Sequence, residues 1–172
     1  DYDRNIECPI CRSRKHLVVE SILYWCNECK VPLYEQVCGC CGKKGKKFVK
    51  DCRIVFPEEK VLLEILLGKE QGELDNVSVW NGSGNIYYAD GKNMKLKISE
   101  LIKRDTENIR TLYNERVQHI NADFFEQMVK RFITANKKRF DDIDDDAMVQ
   151  IKKKVKDYDD REIFVSFSGG KD

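Results

Sequence analysis

The residues with the clearest chemical capacity are eight cysteines, all within the first 52 positions: Cys8, Cys11, Cys26, Cys29, Cys38, Cys40, Cys41 and Cys52. Three pairs have the Cys-x-x-Cys spacing, "CPIC" (Cys8, Cys11), "CNEC" (Cys26, Cys29) and "CGCC" (Cys38, Cys41). Two residues between thiolates let both sulfurs reach one ion from a tight turn, and two such turns complete a tetrahedral four-thiolate zinc site. An even cysteine count also suits disulfides in a secreted domain, but the paired spacing and the lack of an apolar signal region in "DYDRNIECPICRSRK" favour metal.

Two pairings compete. The short one joins Cys26 and Cys29 to Cys38 and Cys41 across the eight residues "KVPLYEQV", with glycines beside the second pair where a knuckle backbone must bend. The long one joins Cys8 and Cys11 to Cys26 and Cys29 across fourteen residues, a zinc-ribbon spacing with room for a hairpin through "LVVESILYW". Both hold together if a second ion borrows Cys40, Cys52 or His16. The short set is taken as the metal site, with Cys8 and Cys11 as additional ligands. Full thiolate coordination is closed, whereas catalytic zinc keeps a position for water, so the zinc is expected to be structural and no catalytic residue is assigned. An iron–sulfur cluster is chemically compatible with the same thiolates.

A second chemical feature closes the sequence. "SFSGGKD" follows the hydrophobic run "REIFV", which reads as a buried strand. Glycines after a strand let the backbone approach a phosphate, and the exposed N–H groups form an anion-binding nest. The spacing is not that of the common Gly-x4-Gly-Lys-Ser/Thr loop. Residues Ser168, Gly169, Gly170, Lys171 and Asp172 resemble the start of the PP-loop of the ATP-pyrophosphatase superfamily, Ser-Gly-Gly-x-Asp-Ser. Together with "WCNECKVPLYEQVCGCCGKKG", "FPEEKVLLEILLGK", "VWNGSGNIYYADGK" and "ITANKKRF", the loop makes residues 25–172 similar to the amino-terminal half of phosphoadenosine-phosphosulfate (PAPS) reductase-like proteins. Where that family can show an Arg-Pro-rich link, this chain has "DCRIVFPEE", which leaves Cys52 without an assigned role.

The resemblance implies a zinc module ahead of a nucleotide domain, with Ser168, Gly169, Gly170, Lys171 and Asp172 holding the phosphates of ATP or PAPS. The redox cysteine of true reductases follows the loop in the family and has no counterpart in these residues. A nucleotide-binding α/β domain needs several parallel strands, and the sequence supplies one. The expectation is therefore an amino-terminal fragment of a longer enzyme of adenylyl or sulfur chemistry, inactive alone. A different reading makes the front of the chain a nucleic-acid-binding region of an enzyme that inserts sulfur into tRNA or DNA, on the strength of Lys43, Lys44, Lys46, Lys47 and Lys50 in "KKGKKFVK".

Several elements must position these residues. With 172 residues, 41% of them hydrophobic and 35% charged, the chain can form a core beneath amphipathic helices. Its 31 Lys+Arg against 30 Asp+Glu give no bulk-charge argument for a polyanionic partner, and no apolar stretch reaches membrane length. A cytoplasmic location follows as an expectation. "FPEEKVLLEILLGK" predicts a helix opened by Pro57, closed by Gly68 and burying Leu62, Ile65 and Leu66. "VSVW", "IYYAD" and "KLKI" predict an antiparallel meander with turns at "NGSGN" and "DGKN". In it, Trp80, Tyr87 and Tyr88 are core residues rather than base-stacking platforms.

Ser99 is expected to cap a charged stretch reaching Val117. A helix from Asn121 should bury Phe124, Met128 and Phe132 with Phe125, Val129 and Ile133. A further helix over "DDIDDDAMVQIKKKVK" has acids in its first turn and lysines in its last. The predicted class is α+β: a zinc-ribbon or knuckle module at 1–53, a small middle region at 54–120, a helical lead-in at 121–160, and the start of a PP-loop domain at 161–172.

Overall fold

The computed structural model describes residues 22–94, 96, 98–101, 103–159 and 162–164. The fold is α+β, and the chain divides into two compact units, residues 1–136 and 137–172.

In the first unit, β1 (Tyr24–Cys26) pairs antiparallel with β2 (Val31–Leu33) on one side and β3 (Lys46–Lys47) on the other. The register sets Cys26 opposite Val31 and Trp25 opposite both Pro32 and Lys46. A second antiparallel sheet runs β4 (Arg53–Ile54), β5 (Val79–Asn81), β6 (Tyr87–Ala89), β7 (Lys92–Met94) in that order. Between β4 and β5 lies α1 (Pro57–Leu67); α2 (Ile98–Leu101), α3 (Thr106–Arg116) and α4 (Asp123–Ala135) follow the sheet.

One core joins the two sheets. Trp25, Cys26, Cys29, Val31, Leu33 and Cys38 pack with Trp80 of β5 and with Met128 and Ala135 of α4. Side chains from the first three expected segments therefore meet in one apolar cluster, and burying each large one contributes roughly 1.5–3 kcal/mol. A smaller cluster of Val55, Leu63, Leu74 and Val79 sits beneath α1.

Helix α1 has the predicted ends: Pro57 opens it, Glu58 and Glu59 fill the first turn, and Gly68 closes it at φ 68°. Its buried face differs. Leu62 and Leu66 are only partly covered, while Lys60, Val61, Leu63, Glu64 and Ile65 are buried. The cause is the loop after the helix. Lys60 donates to the carbonyls of Leu74, Asp75 and Val77 at 3.1, 3.3 and 2.8 Å, and the Glu64 carboxylate accepts from the N–H groups of Gly72 and Leu74 at 3.1 and 2.6 Å. Buried polar side chains require such partners, and here the partners are loop backbone that would otherwise be buried and unpaired. Arg104 and Arg116 complete the arrangement by donating to the carbonyls of Ile65 and Lys69, near the end of a helix whose own last turn has no basic residue.

Other boundaries moved. The third meander strand is Lys92–Met94 rather than "KLKI", because the turn needs only Asp90 and Gly91, at φ 47° and 78°. Two consecutive left-handed residues make a tight hairpin connection, so Lys92 is already paired with Ala89. The cap of the following long helix is Asp105, whose carboxylate accepts from the N–H groups of Glu107 and Asn108; Ser99 lies inside the one-turn α2. In α4, Met128 is buried and Phe124, Phe125 and Phe132 pack on the core, but Ile133 is half exposed because it falls on the face opposite that contact.

In the second unit, α5 (Lys137–Val155) starts four residues before the predicted acidic turn. Lys137 pairs with Asp141 and Lys138 with Asp142, so i,i+4 ion pairs extend the helix through the residues expected to begin it. Of the predicted strand "EIFVSF", only Glu162, Ile163 and Phe164 are described; none is in a strand, and no described strand of this unit is present to pair with them. Ser168, Gly169, Gly170, Lys171 and Asp172, and Cys8, Cys11 and His16, lie outside the described residues. Among the described residues, no helix is long and apolar enough to cross a membrane.

Candidate metal centre

The sulfurs of Cys26, Cys29, Cys38 and Cys41 all lie within 4.8 Å of one another. Cys26 and Cys41 are separated by 3.5 Å and Cys29 and Cys38 by 3.7 Å. Zn–S bonds of ~2.3 Å in a tetrahedron place sulfurs ~3.8 Å apart, so the four-thiol set matches what a zinc ion requires. The four cysteines of the short pairing are thus brought together, while Cys8 and Cys11 of the long one lie outside the described residues. Cys40 is exposed and Cys52 half-buried, and neither belongs to the cluster.

Each half of the site is a knuckle with the same backbone plan. After Cys26-x-x-Cys29, Lys30 takes φ 57° and its N–H donates to the Cys26 carbonyl at 2.9 Å. After Cys38-x-x-Cys41, Gly42 takes φ 71° and its N–H donates to the Cys38 carbonyl at 2.8 Å. The left-handed residue reverses the chain immediately after the second cysteine of each pair. Glycine reaches that region freely, whereas lysine is strained there. The glycine of "CGCCG" announced its knuckle in the sequence, but nothing announced that Lys30 plays the same role.

Both knuckles are fixed to the body of the protein. The Lys30 carbonyl accepts from Ser78 Oγ at 2.5 Å; that oxygen in turn accepts from Trp80 Nε1 at 2.9 Å and lies 3.1 Å from Met128 Sδ. The Asp90–Gly91 turn lies against Trp25, so closely that a Cβ on Gly91 would come within 2.5 Å of the indole nitrogen. In the second knuckle, Gly39 N–H donates to the Ala135 carbonyl at 2.9 Å. Asn136, just past α4, behaves like a strand residue at the edge of β2. It accepts from Tyr34 N–H at 2.8 Å and donates to the carbonyls of Pro32 and Phe132 at 3.0 and 2.9 Å.

Electrostatically, the metal-free thiols are unequal. Burial is the main influence raising the Cys26 and Cys29 thiols, and neighbouring sulfurs push both further the same way. Cys41 is held below its usual range, chiefly by the Lys43 N–H. A dication reverses the cost of gathering four thiolates, so loading releases protons and becomes favourable as pH rises. Glu28 of the first knuckle and Lys43 of the second form a 2.6 Å ion pair across the site, exposed and worth little by itself. Cys52 differs in kind: burial raises its thiol to about 12, leaving it protonated and unreactive near neutrality.

No protein-family model, curated protein or solved structure matches this chain.

Proposed function

We propose that this chain is the zinc-stapled accessory module of a PP-loop enzyme of adenylyl or sulfur chemistry, its metal serving architecture and its residues Ser168–Asp172 receiving the phosphates of ATP or PAPS. One observation supports the structural role of the metal above others: four thiols converge, three of them are buried, and each knuckle is bonded into the surrounding fold. A closed sulfur set has no position for a substrate or an activated water. What it provides is cross-linking of two short loops that carry little regular structure, a role that becomes folding free energy when a small core is otherwise marginal.

The nucleotide half rests on the sequence "SFSGGKD" and on its likeness to the PP-loop. Exposed N–H groups of Gly169 and Gly170 would cradle phosphate oxygens, and Lys171 would add a point charge.

The two halves are tested separately. Metal analysis of Cys26→Ser and Cys38→Ser chains, compared with Cys8→Ser, should show loss of zinc and of cooperative melting in the first two. Retention of both in those two variants would remove the structural-zinc reading. For the nucleotide, calorimetric titration of ATP and PAPS into a protein that continues past Asp172 into further parallel strands should lose at least tenfold in affinity on Gly170→Ala, with zinc content unchanged. Equal binding by variant and parent would remove the nucleotide reading and leave the zinc one intact.

A further inference from the structure

Five lysines cluster in the eight residues that follow the second knuckle. Lys43, Lys44, Lys46, Lys47 and Lys50 are all exposed. Lys43 is engaged by Glu28, whereas Lys44, Lys46 and Lys47 carry no ion pair among the described residues. Several cations elsewhere are paired, Arg53 with Glu59, Lys69 with Glu73, Arg110 with Glu107 and Lys137 with Asp141.

The backbone beneath these lysines is held in place. Lys46 and Lys47 form β3, paired with Trp25 and Tyr24. Gly45 N–H donates to the Gln36 carbonyl at 2.7 Å, and a Cβ on Gly45 would approach Tyr24 Cβ at 2.9 Å, so this segment is seated tightly on β1. On the same segment Phe48 stacks edge-on against Tyr88 at 4.7 Å and tilts against Trp25 at 5.1 Å. An edge strand gains protection against sheet extension from a lysine, but Lys43, Lys44 and Lys50 lie outside β3 and need another explanation.

We propose that the strip from Lys43 to Lys50 is a binding surface for the phosphate backbone of a nucleic acid. The charge density points to the partner: the eight-residue segment has five lysines and no acidic residue. Closely spaced positive charges complement the repeating charge of successive phosphates, each lysine binding as a mobile point charge. The strip lies on the metal-stapled body and is independent of residues 168–172, so its failure leaves the nucleotide reading untouched.

The test is binding of unmodified tRNA and of duplex DNA by the full zinc-loaded chain, followed by fluorescence anisotropy. Engaging three phosphates predicts that affinity falls roughly 20- to 40-fold between 50 and 200 mM salt, from a log–log slope of ~0.7 to ~0.9 per contact. The triple variant Lys44→Gln, Lys46→Gln, Lys47→Gln should lose at least tenfold at 50 mM salt with zinc content and melting unchanged. The charge-matched control Lys130→Gln, Lys152→Gln, Lys153→Gln should bind within twofold of the parent. Preference for tRNA or for DNA identifies the source of the backbone. The proposal is overturned by absence of binding to both at 50 mM salt, by a triple variant within twofold of the parent, or by an equal loss in the control. Poly-glutamate bound as tightly as either nucleic acid also overturns it, in favour of an acidic protein partner.

Discussion

Gly39 donates its N–H to the carbonyl of Ala135 at 2.9 Å, so the second cysteine knuckle caps the carboxyl end of α4. The carbonyl belongs to the last turn of the helix, where no intrahelical donor exists, and no basic side chain of that turn is present to help. A Cβ on Gly39 would stand 2.9 Å from the Ala135 oxygen and 3.2 Å from that of Thr134. Gly39→Ala must therefore separate knuckle and helix. A loss of roughly 1–3 kcal/mol in urea unfolding is expected, the usual cost of overpacking, with weaker zinc retention in a competition with chelator.

The two residues that close the knuckles should respond with opposite signs. Lys30→Gly relieves a lysine at φ 57° and is expected to stabilise by a few tenths to ~1 kcal/mol. Gly42→Ala places a Cβ at φ 71° in open space, so it strains the backbone without a clash and should cost ~1–2 kcal/mol. Denaturant midpoints of the two variants decide it; the same sign in both would mean that the knuckles are not equivalent.

How much of this was legible depended on whether the signal was local. Cys-x-x-Cys spacing constrains sulfurs through one turn, so the pairs Cys26/Cys29 and Cys38/Cys41 were legible from residue types, although spacing alone left a second pairing with Cys8 and Cys11 open. Pro57 and Gly68 bounded α1 for the same reason: each acts through its own φ. The buried faces were not local. The burial of Lys60 and Glu64 has no local signal, because their partners, the loop backbone from Gly72 to Val77, become neighbours only after folding. Asn136 likewise shows no pattern until α4 meets the edge of β2. Ser99 looked like a cap, but Asp105 had a clear run into a helix and the side chain to satisfy its first N–H groups.

Asn136→Ala should be among the more damaging substitutions outside the cysteines. It removes three hydrogen bonds and leaves the Tyr34 N–H and the Pro32 carbonyl without that partner. A cost of roughly 2–4 kcal/mol follows from the buried Pro32 carbonyl losing this donor, added to the lost bonds. Chemical denaturation of the metal-loaded chain measures it, and a change below half a kcal/mol, the ~0.5 kcal/mol scale of ordinary surface substitutions, would deny Asn136 this role.

Lys60 makes stability depend on pH in a defined direction. Burial lowers it to about 8, with Asp75, Glu64 and Asp90 pulling the other way. Between about 8 and the unfolded value near 10.4, the unfolded chain holds more protons than the folded one, so this group's unfavourable contribution is full below 8 and fades as pH rises. Cys52, raised to about 12, opposes the trend, because its folded form keeps a proton the unfolded chain releases from ~8.5 upward. The parent should therefore gain stability relative to Lys60→Met between pH 7.5 and 9.5, read as the difference in urea midpoints. No change in that difference would show that Lys60 does not titrate in this range.

Thiol accessibility separates the six described cysteines into three groups. Brief alkylation at pH 7.5 followed by peptide mapping should label exposed Cys40 in every state and leave Cys52 unlabelled while the chain is folded. Cys26, Cys29, Cys38 and Cys41 should be protected with zinc and reactive after chelation. Labelling of Cys41, which is exposed, in the zinc-loaded chain would take it out of the ligand set.

The most direct measurement is elemental analysis of the purified chain coupled to thermal melting with and without a strong chelator. One zinc bound through Cys26, Cys29, Cys38 and Cys41, with cooperative melting abolished by metal removal and by Cys38→Ser, is the predicted result. A chain that contains no metal and melts cooperatively at the same temperature in chelator would contradict it.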